Sequence, residues 1–410
     1  MDLRIAWRNL WRNSRRSALT ILAIAFACAV LVFSASWQEG TYEVMIEAAV
    51  MSRTGHFQVQ AEGYNKKREL RMDVHHPDAV GRILDATPGI HAWTQRATSF
   101  ALLSSDERTY GGLVLGLDPQ REKRTSSLES TLRQGRFLDD TNAYEALAGS
   151  LLARNLRIAP GDEIVLLGQA RDGSVAATVL TLAGIVESGQ EQLDRATLYI
   201  PLGAFQETFA MNGGVNEIVV VADSLAKAPE TQQAVQTALD ANPGTKGLVT
   251  LTWDELAPGL KQAIQLDMGN AVIMYFLLTV IVAFSIWNTF LMAVFERTRE
   301  FGVLMALGTT PARLIRLLLL ESLALTLIGM ALGVVGGCLW AYWYEIHGFP
   351  MGEAAGMLAK YGLPERLYPK LTLTAAWAGP AGVFVITMVS ALYPALRVRR
   401  FTPVQAMHAT

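Results

Sequence analysis

Apolar residues in this chain gather into four long runs, at 17–37, 268–295, 317–346 and 371–396. Crossing the hydrocarbon core of a bilayer takes about 20 helical residues, and each run is long enough. The runs predict four transmembrane helices in a 1+3 arrangement, because a long polar segment, 38–267, separates the first from the second. Inside that segment the periodicity changes. Residues 39–52 keep a helical pattern that continues the first span outward as a stalk, and the amphipathic stretch 253–267 leads back into the second span. Between them, 57–60 alternates as a strand does, and 164–167 and 177–186 flank a turn at Asp172-Gly173 as a hairpin. A further strand is predicted at 218–221 and a helix at 231–239, while 113–130, with its charge run Arg121-Glu122-Lys123-Arg124, reads as a solvated loop. The fold class is therefore membrane α-helical, with a large mixed α/β domain inserted between spans one and two.

The formal charge of −2 hides a strong asymmetry. Arg4, Arg8, Arg12, Arg15 and Arg16 precede the first span, Arg297, Arg299, Arg313 and Arg316 lie between the second and third, and Arg397, Arg399 and Arg400 follow the fourth. Positive charge near span ends marks the cytoplasmic side, so both termini and the 296–316 connection are expected there. The inserted domain and the short loop 347–370 then lie outside the cytoplasm. Residues 38–267 hold 20 Lys+Arg against 30 Asp+Glu, a net of −10, which leaves no basic groove for nucleic acid. Both cysteines, Cys28 and Cys338, fall inside predicted spans, so the inserted domain must rely on its own core rather than on disulfides. Ser34-Ala35-Ser36 offers a small-residue cleavage site, but the first apolar run is longer than a signal-peptide core and reads as a retained span.

Residues 1–16 predict an amphipathic helix lying along the membrane surface, with Leu3, Trp7, Leu10 and Trp11 on one side and Arg4, Arg8, Arg12 and Arg15 on the other. Directly after span two comes Glu296-Arg297-Thr298-Arg299-Glu300-Phe301-Gly302-Val303-Leu304-Met305-Ala306-Leu307-Gly308. Charged residues come first, then an apolar stretch with small residues, then Gly308-Thr309-Thr310-Pro311. Thr310 can cap a new helix with Pro311 at its first position. A short helix of this kind suits docking into a partner's groove.

That run resembles the coupling-helix signature of ABC-transporter permeases of the MacB/FtsX/LolC-LolE type. The opening from Trp7 to Leu22 and the tail from Tyr393 to Met407, where Pro394 precedes Arg397, Arg399 and Arg400, are similar to the same family. So are Gly135-Arg136-Phe137, Leu151-Leu152-Ala153 and Ala159-Pro160-Gly161-Asp162-Glu163-Ile164, which resemble the MacB-like periplasmic core domain. The resemblance implies a permease subunit of the bacterial inner membrane that pairs with itself or a homologue. It implies an ABC ATPase docked at Arg297, Arg299, Glu300, Phe301, Gly302, Leu304, Ala306 and Gly308, with ATP and magnesium bound by that partner. No G-x-x-x-x-G-K-[ST] motif occurs here, nor any Gly-Lys dipeptide, so the chain itself is expected to be neither an ATPase nor a cofactor-dependent enzyme. The cargo class implied is a lipoprotein or other amphiphile. The alternatives are mechanotransmission to a periplasmic partner such as a cell-wall hydrolase, efflux through an adaptor, and, outside ABC systems, a membrane sensor.

Polar residues within the spans are few. Gly329, Gly333 and Gly337 form overlapping small-xxx-small repeats on one face of span three, a packing seam between or within chains. Glu321 is a costly carboxylate that snorkelling or pairing with Arg316 or Arg297 would relieve, and Asn288 and Trp287 read as helix–helix glue. His56, His75, His76 and His91 read as exposed loop histidines, because no Cys or spaced acidic partner builds a metal site around them.

Overall fold

The computed structural model describes residues 8, 14–106, 108–296, 298–356 and 366–397. Most of the expected surface helix 1–16 and nearly all of the tail 397–410 fall outside these residues. In chain order the elements that matter below are α1 (Ser14–Ala49), β1 (Phe57–Ala61), α2 (Pro77–Ala86), β2 (Ile90–Ser104), β3 (Thr109–Leu117), α3 (Pro119–Thr125) and β4 (Leu132–Gly135). There follow β5 (Glu145–Gly149), β6 (Glu163–Gln169), β7 (Val175–Val186), β8 (Thr197–Pro201), β9 (Glu217–Ala222), α4 (Ala228–Ala241) and β10 (Leu248–Thr252). Last come α5 (Pro258–Glu296), α6 (Thr298–Ala306), α7 (Pro311–His347) and α8 (Leu373–Arg397). Four helices, α1, α5, α7 and α8, are long and apolar enough to span a membrane. Two compact units result, one holding the spans and the other the inserted domain.

In the span unit the other helices pack on α1. Ile24, Cys28 and Leu31 of α1 meet Ile286 and Phe290 of α5, Leu325 of α7, and Val383 and Ala391 of α8. Lipid tails are as apolar as leucine, so these contacts hold through close packing rather than through the hydrophobic effect. Phe33 stacks on Trp340 with ring centroids 4.2 Å apart. At the end bearing α6, Arg16 donates to Glu296 at 2.7 Å and ties α1 to α5. Towards the opposite end, Lys370 pairs with Glu43 at 2.6 Å and its backbone N–H donates to the Ser36 carbonyl, which ties the approach to α8 onto α1.

The inserted unit is built on a ten-stranded sheet in the order β10-β1-β9-β2-β3-β8-β5-β7-β4, with β6 bridging β2 and β7. Pairing is antiparallel except for β3–β8 and β5–β7. β2 is long because its two halves have different partners: residues 90–96 pair with β9, and residues 101–104 with β6. The predicted hairpin is present as β6 and β7, and its alternation of buried and exposed positions is the two-residue period of a strand with one face in the core. Phe57, Leu103, Leu166, Leu180, Ile200 and Val220 lie in that core.

Two expectations need correction here. The 113–130 segment is not a solvated loop: β3 runs to Leu117, and α3 begins at Pro119 with Asp118 accepting from the N–H groups of Gln120 and Arg121. Proline at N1 and an aspartate N-cap start a helix that the charge run had concealed. Arg121 stacks over the Trp93 ring at 3.7 Å, Lys123 pairs with Glu129 and Asp139, and Glu122 is buried. His56 is likewise no exposed loop residue. It is 6% exposed, its Nδ1 accepts from the Ala222 N–H at 3.0 Å, and burial holds its pKa below the usual imidazole value. His75, His76 and His91 are exposed.

Candidate functional site

No cluster of side chains here offers nucleophilic or acid–base chemistry; the arrangement is mechanical, with parts at both ends of the spans and in the inserted domain. Connecting helix α6 ends in a Schellman turn, where the Gly308 N–H donates to the Met305 carbonyl and the Thr309 N–H to the Leu304 carbonyl, both at 3.0 Å. Gly308 has φ +91°, the left-handed conformation this motif asks of its residue and that glycine adopts without penalty. Thr310 and Pro311 then start α7 as the capping pattern predicted. Phe301 is buried with Val294, Leu314, Leu318 and Ala395, so α6 is anchored to three of the spans at once.

This anchoring divides the expected docking residues. Phe301 and Gly302 face inward and hold the helix, whereas Arg299, Glu300, Leu304, Ala306 and Gly308 are exposed. Val303 and Leu307, not singled out in the sequence, join the exposed face, with Leu307 78% exposed. The signal was available: Val303 and Leu307 are one turn apart, three and one residues before the capping turn. Arg297, Trp7, Trp11 and Arg12 lie outside the described residues; Arg8 is helical and exposed.

The glycine stripe packs span three against span one of the same chain. A Cβ added at Gly329 would lie 2.8 Å from the Ile24 Cβ, one at Gly333 2.5 Å from the Cys28 Cβ, and one at Gly337 2.8 Å from the Val32 Cβ. Glu321 is buried on α7. Trp287 packs edge-on against Tyr393 of α8 at 5.6 Å, but Asn288 is exposed on α5 and is not packed against another helix of this chain.

At the end of α1 and α5 away from α6, a groove of about 600 Å³ opens between the two helices, walled by Phe33, Trp37, Met274, Tyr275 and Phe349. A polar latch closes its rim. Tyr42 donates to Asp267 at 2.7 Å, Gln38 donates to Tyr42 at 2.6 Å and to Asp267 at 3.3 Å, and Tyr275 donates to Gln38 at 3.2 Å. Sequence reading missed this site, because more than 200 residues separate the two sides; only the Gln38–Tyr42 spacing of one turn was visible. Hydrogen bonds to a carboxylate contribute roughly 1.5–3 kcal/mol each. With Cys28 and Cys338 replaced by alanine, Ser34→Cys is expected to react with a membrane-impermeant maleimide severalfold faster when Asp267 is also alanine. An unchanged rate would mean that the latch does not restrain the groove.

Within the inserted domain, α1 passes into a π-helical turn, Val50–Thr54, before Gly55 redirects the chain into β1. Gly55 sits at φ +63°, and a Cβ there would lie 2.7 Å from the Val220 carbonyl oxygen. The turn is clamped. Arg96, 2% exposed, donates from Nη1 to the Arg53 carbonyl at 2.6 Å and from Nε and Nη2 to both carboxylate oxygens of Glu122. Beside it the Ser127 N–H donates to the Met51 carbonyl at 2.9 Å. A bidentate buried ion pair thus grips the backbone at the exit of the first helix. Helix irregularities of this π type recur at functional positions.

Comparison with known proteins gives three findings. Residues 17–238 match the family model of a MacB-like periplasmic core domain, and residues 272–403 match the FtsX-like permease C-terminal domain. The chain is 24% identical over 408 residues to the lipoprotein-releasing system transmembrane protein LolC of Xylella fastidiosa (strain 9a5c), which covers 95% of this chain and 93% of that protein. It is 23% identical over 420 residues to the macrolide export ATP-binding/permease protein MacB of Shewanella sp. (strain ANA-3), covering 99% of this chain and 60% of that one. Among solved structures, the periplasmic region of MacB from Actinobacillus actinomycetemcomitans aligns with 52% of this chain and 94% of its own, with a TM-score of 0.38 and 15% identity.

Proposed function

This chain belongs to the ABC-transporter permeases that join a MacB-like periplasmic core domain to an FtsX-like permease domain, and we propose that it is the force-transmitting membrane subunit of a transporter that moves an amphiphile out of the inner membrane. The sequence has no P-loop, so ATP hydrolysis is assigned to a separate subunit docked at the cytoplasmic end. The observation that carries this reading is the division of labour in α6: Phe301 is locked among the spans, while Arg299, Glu300, Val303, Leu304 and Leu307 face outward. A helix held this way cannot tilt without moving α5, α7 and α8 with it. Closure of paired ATPases is therefore passed to the spans, and through the turn gripped by Arg96 to the domain outside the cytoplasm.

The groove between α1 and α5 supports the cargo class. Its walls are apolar and its rim is polar, which suits a molecule with acyl chains and a polar head, and LolC is by name a lipoprotein-releasing component. The chain pairs with a second permease, itself or a homologue. Efflux through an adaptor is the competing reading; it would share the ATPase and differ in what leaves the membrane.

Mild-detergent isolation of the tagged chain is expected to bring down a P-loop ATPase. Leu304→Asp with Leu307→Asp is expected to reduce that yield at least tenfold while membrane insertion is kept, since about 1.4 kcal/mol of lost docking energy is already a factor of ten. Full retention of the ATPase by the double variant would remove α6 as the docking site. Spheroplasts making chain and ATPase should release radiolabelled lipoprotein in an ATP-dependent way; macrolide export without lipoprotein release would decide for efflux.

A further inference from the structure

We infer that the inserted domain holds a binding site for an anionic amphiphile bearing a single acyl chain, formed by Arg53, Arg68 and one apolar face of the sheet. The site lies wholly within the inserted domain, so it is separate from the groove between the spans and stands whether or not an ATPase docks at α6.

Strand register assembles the apolar face. Phe100 of β2 lies opposite Leu113 of β3, Leu102 opposite Leu167 of β6, and Val165 of β6 opposite Val179 of β7. Their neighbours Ala101, Leu103, Leu166 and Leu180 point the other way, into the core. Phe100 is 72% exposed, and Leu102, Val165, Leu167 and Val179 are each exposed by nearly half. Four adjacent strands at about 4.8 Å spacing make a strip some 15 Å across. Contiguous exposed apolar surface of this kind marks a binding site rather than ordinary surface.

What sits at one end of the strip identifies the occupant. A cavity of about 320 Å³ runs beside Phe100 and Leu113 and is lined by Leu70, Thr98, Arg53 and Arg68. Among the described residues, the Arg53 guanidinium has no hydrogen-bonding or ion-pair partner; only its backbone carbonyl is engaged, by Arg96. Arg68 donates to the Asn65 side-chain oxygen at 3.2 Å and lies over the Tyr64 ring, again without a carboxylate. Two guanidiniums left without acids are notable in a segment of net charge −10. Planar guanidinium forks match carboxylate and phosphate oxygens. The pairing of an anion cradle with an apolar strip is the shape of a charged head and its chain. Because Arg96 grips the carbonyl of Arg53 itself, an occupant would also touch the turn through which the first span reaches this domain.

The test uses the full chain in nanodiscs of zwitterionic lipid and a palmitic acid analogue with a diazirine near the end of its chain. Saturable photolabelling is expected on peptides of β2 and β6, and the methyl ester of the same probe should label them at least tenfold less. Arg53→Gln with Arg68→Gln, and separately Phe100→Asp, should each lower labelling at least tenfold, with melting temperatures of the chain unchanged. If these variants fail to fold, the comparison of acid with ester on the unaltered chain still decides. Labelling confined to the spans, or equal labelling by acid and ester, would overturn the proposal. So would a chain-to-chain cross-link from a photoreactive residue at position 100 that palmitate does not compete away, which would give the face to a second copy. Loss of ATPase association leaves all of these readings untouched, so failure of the transporter assignment and failure of this site are distinguishable.

Discussion

Gly333→Leu is expected to force span three away from span one and to lower the melting temperature of the detergent-solubilised chain by several degrees, with transport lost. A Cβ at this position would lie 2.5 Å from both the Ala25 carbonyl oxygen and the Cys28 Cβ, and one of these is backbone that cannot swing aside. Overpacking a well-filled interior costs roughly 1–3 kcal/mol when side chains can adjust, and a clash with helix backbone should sit at or above the top of that range. The internal control is close at hand. Gly336 lies on the same helix, and a Cβ there would meet nothing within 4 Å. Gly336→Leu should therefore leave melting and activity as they are, and Gly333→Ala should fall between the two. Equal melting temperatures for the 333 and 336 leucine variants would show that the seam is not what holds α7 to α1.

The second large effect is expected at Arg96. Removing one partner of a buried ion pair typically costs about 3–5 kcal/mol, because the remaining charge is left without compensation. Arg96→Leu should thus destabilise the inserted domain by that amount through the orphaned Glu122 carboxylate. Arg96→Leu together with Glu122→Leu removes both charges and should recover most of the stability, since apolar replacements of buried pairs are often neutral. The Arg53 carbonyl still loses its guanidinium donor in the double variant. Cargo-stimulated ATP hydrolysis in the reconstituted complex is therefore expected to stay at the unstimulated rate while folding is restored. Recovery of stimulation along with stability would reduce Arg96 to a structural role and take the clamp out of the force path.

Much of this architecture was legible in sequence for local reasons. Apolar run length marks a membrane span whatever its neighbours are, and the boundaries at Pro311 and Gly308 follow from capping chemistry within a few residues. The β6–β7 hairpin was visible because two alternating runs meet at Asp172-Gly173. The glycine stripe announced a seam, yet not its partner, since a helix face of small residues fits any helix that comes close. The charge run at 121–124 was misread for a related reason. Glu122 is solvated or buried depending on whether a cation is brought to it, and its cation comes from Arg96, a residue 26 positions earlier on another element. Phe301 could equally have pointed at a partner; Val294, Leu314 and Ala395 decide that it points inward.

Sequence alone thus determined the four spans, the inserted α/β domain, the capped connection between spans two and three, and the absence of a P-loop, because each depends on composition or on neighbours within a turn or two. Tertiary structure alone decided which spans the glycines join, that Asp267 latches Tyr42 and Gln38 across the mouth of a groove, and that Arg96 grips the turn at the end of the first helix. These are pairings between residues far apart in the chain. The free energy of such a pair depends on burial and on the partner's position, and neither quantity exists until the chain has folded.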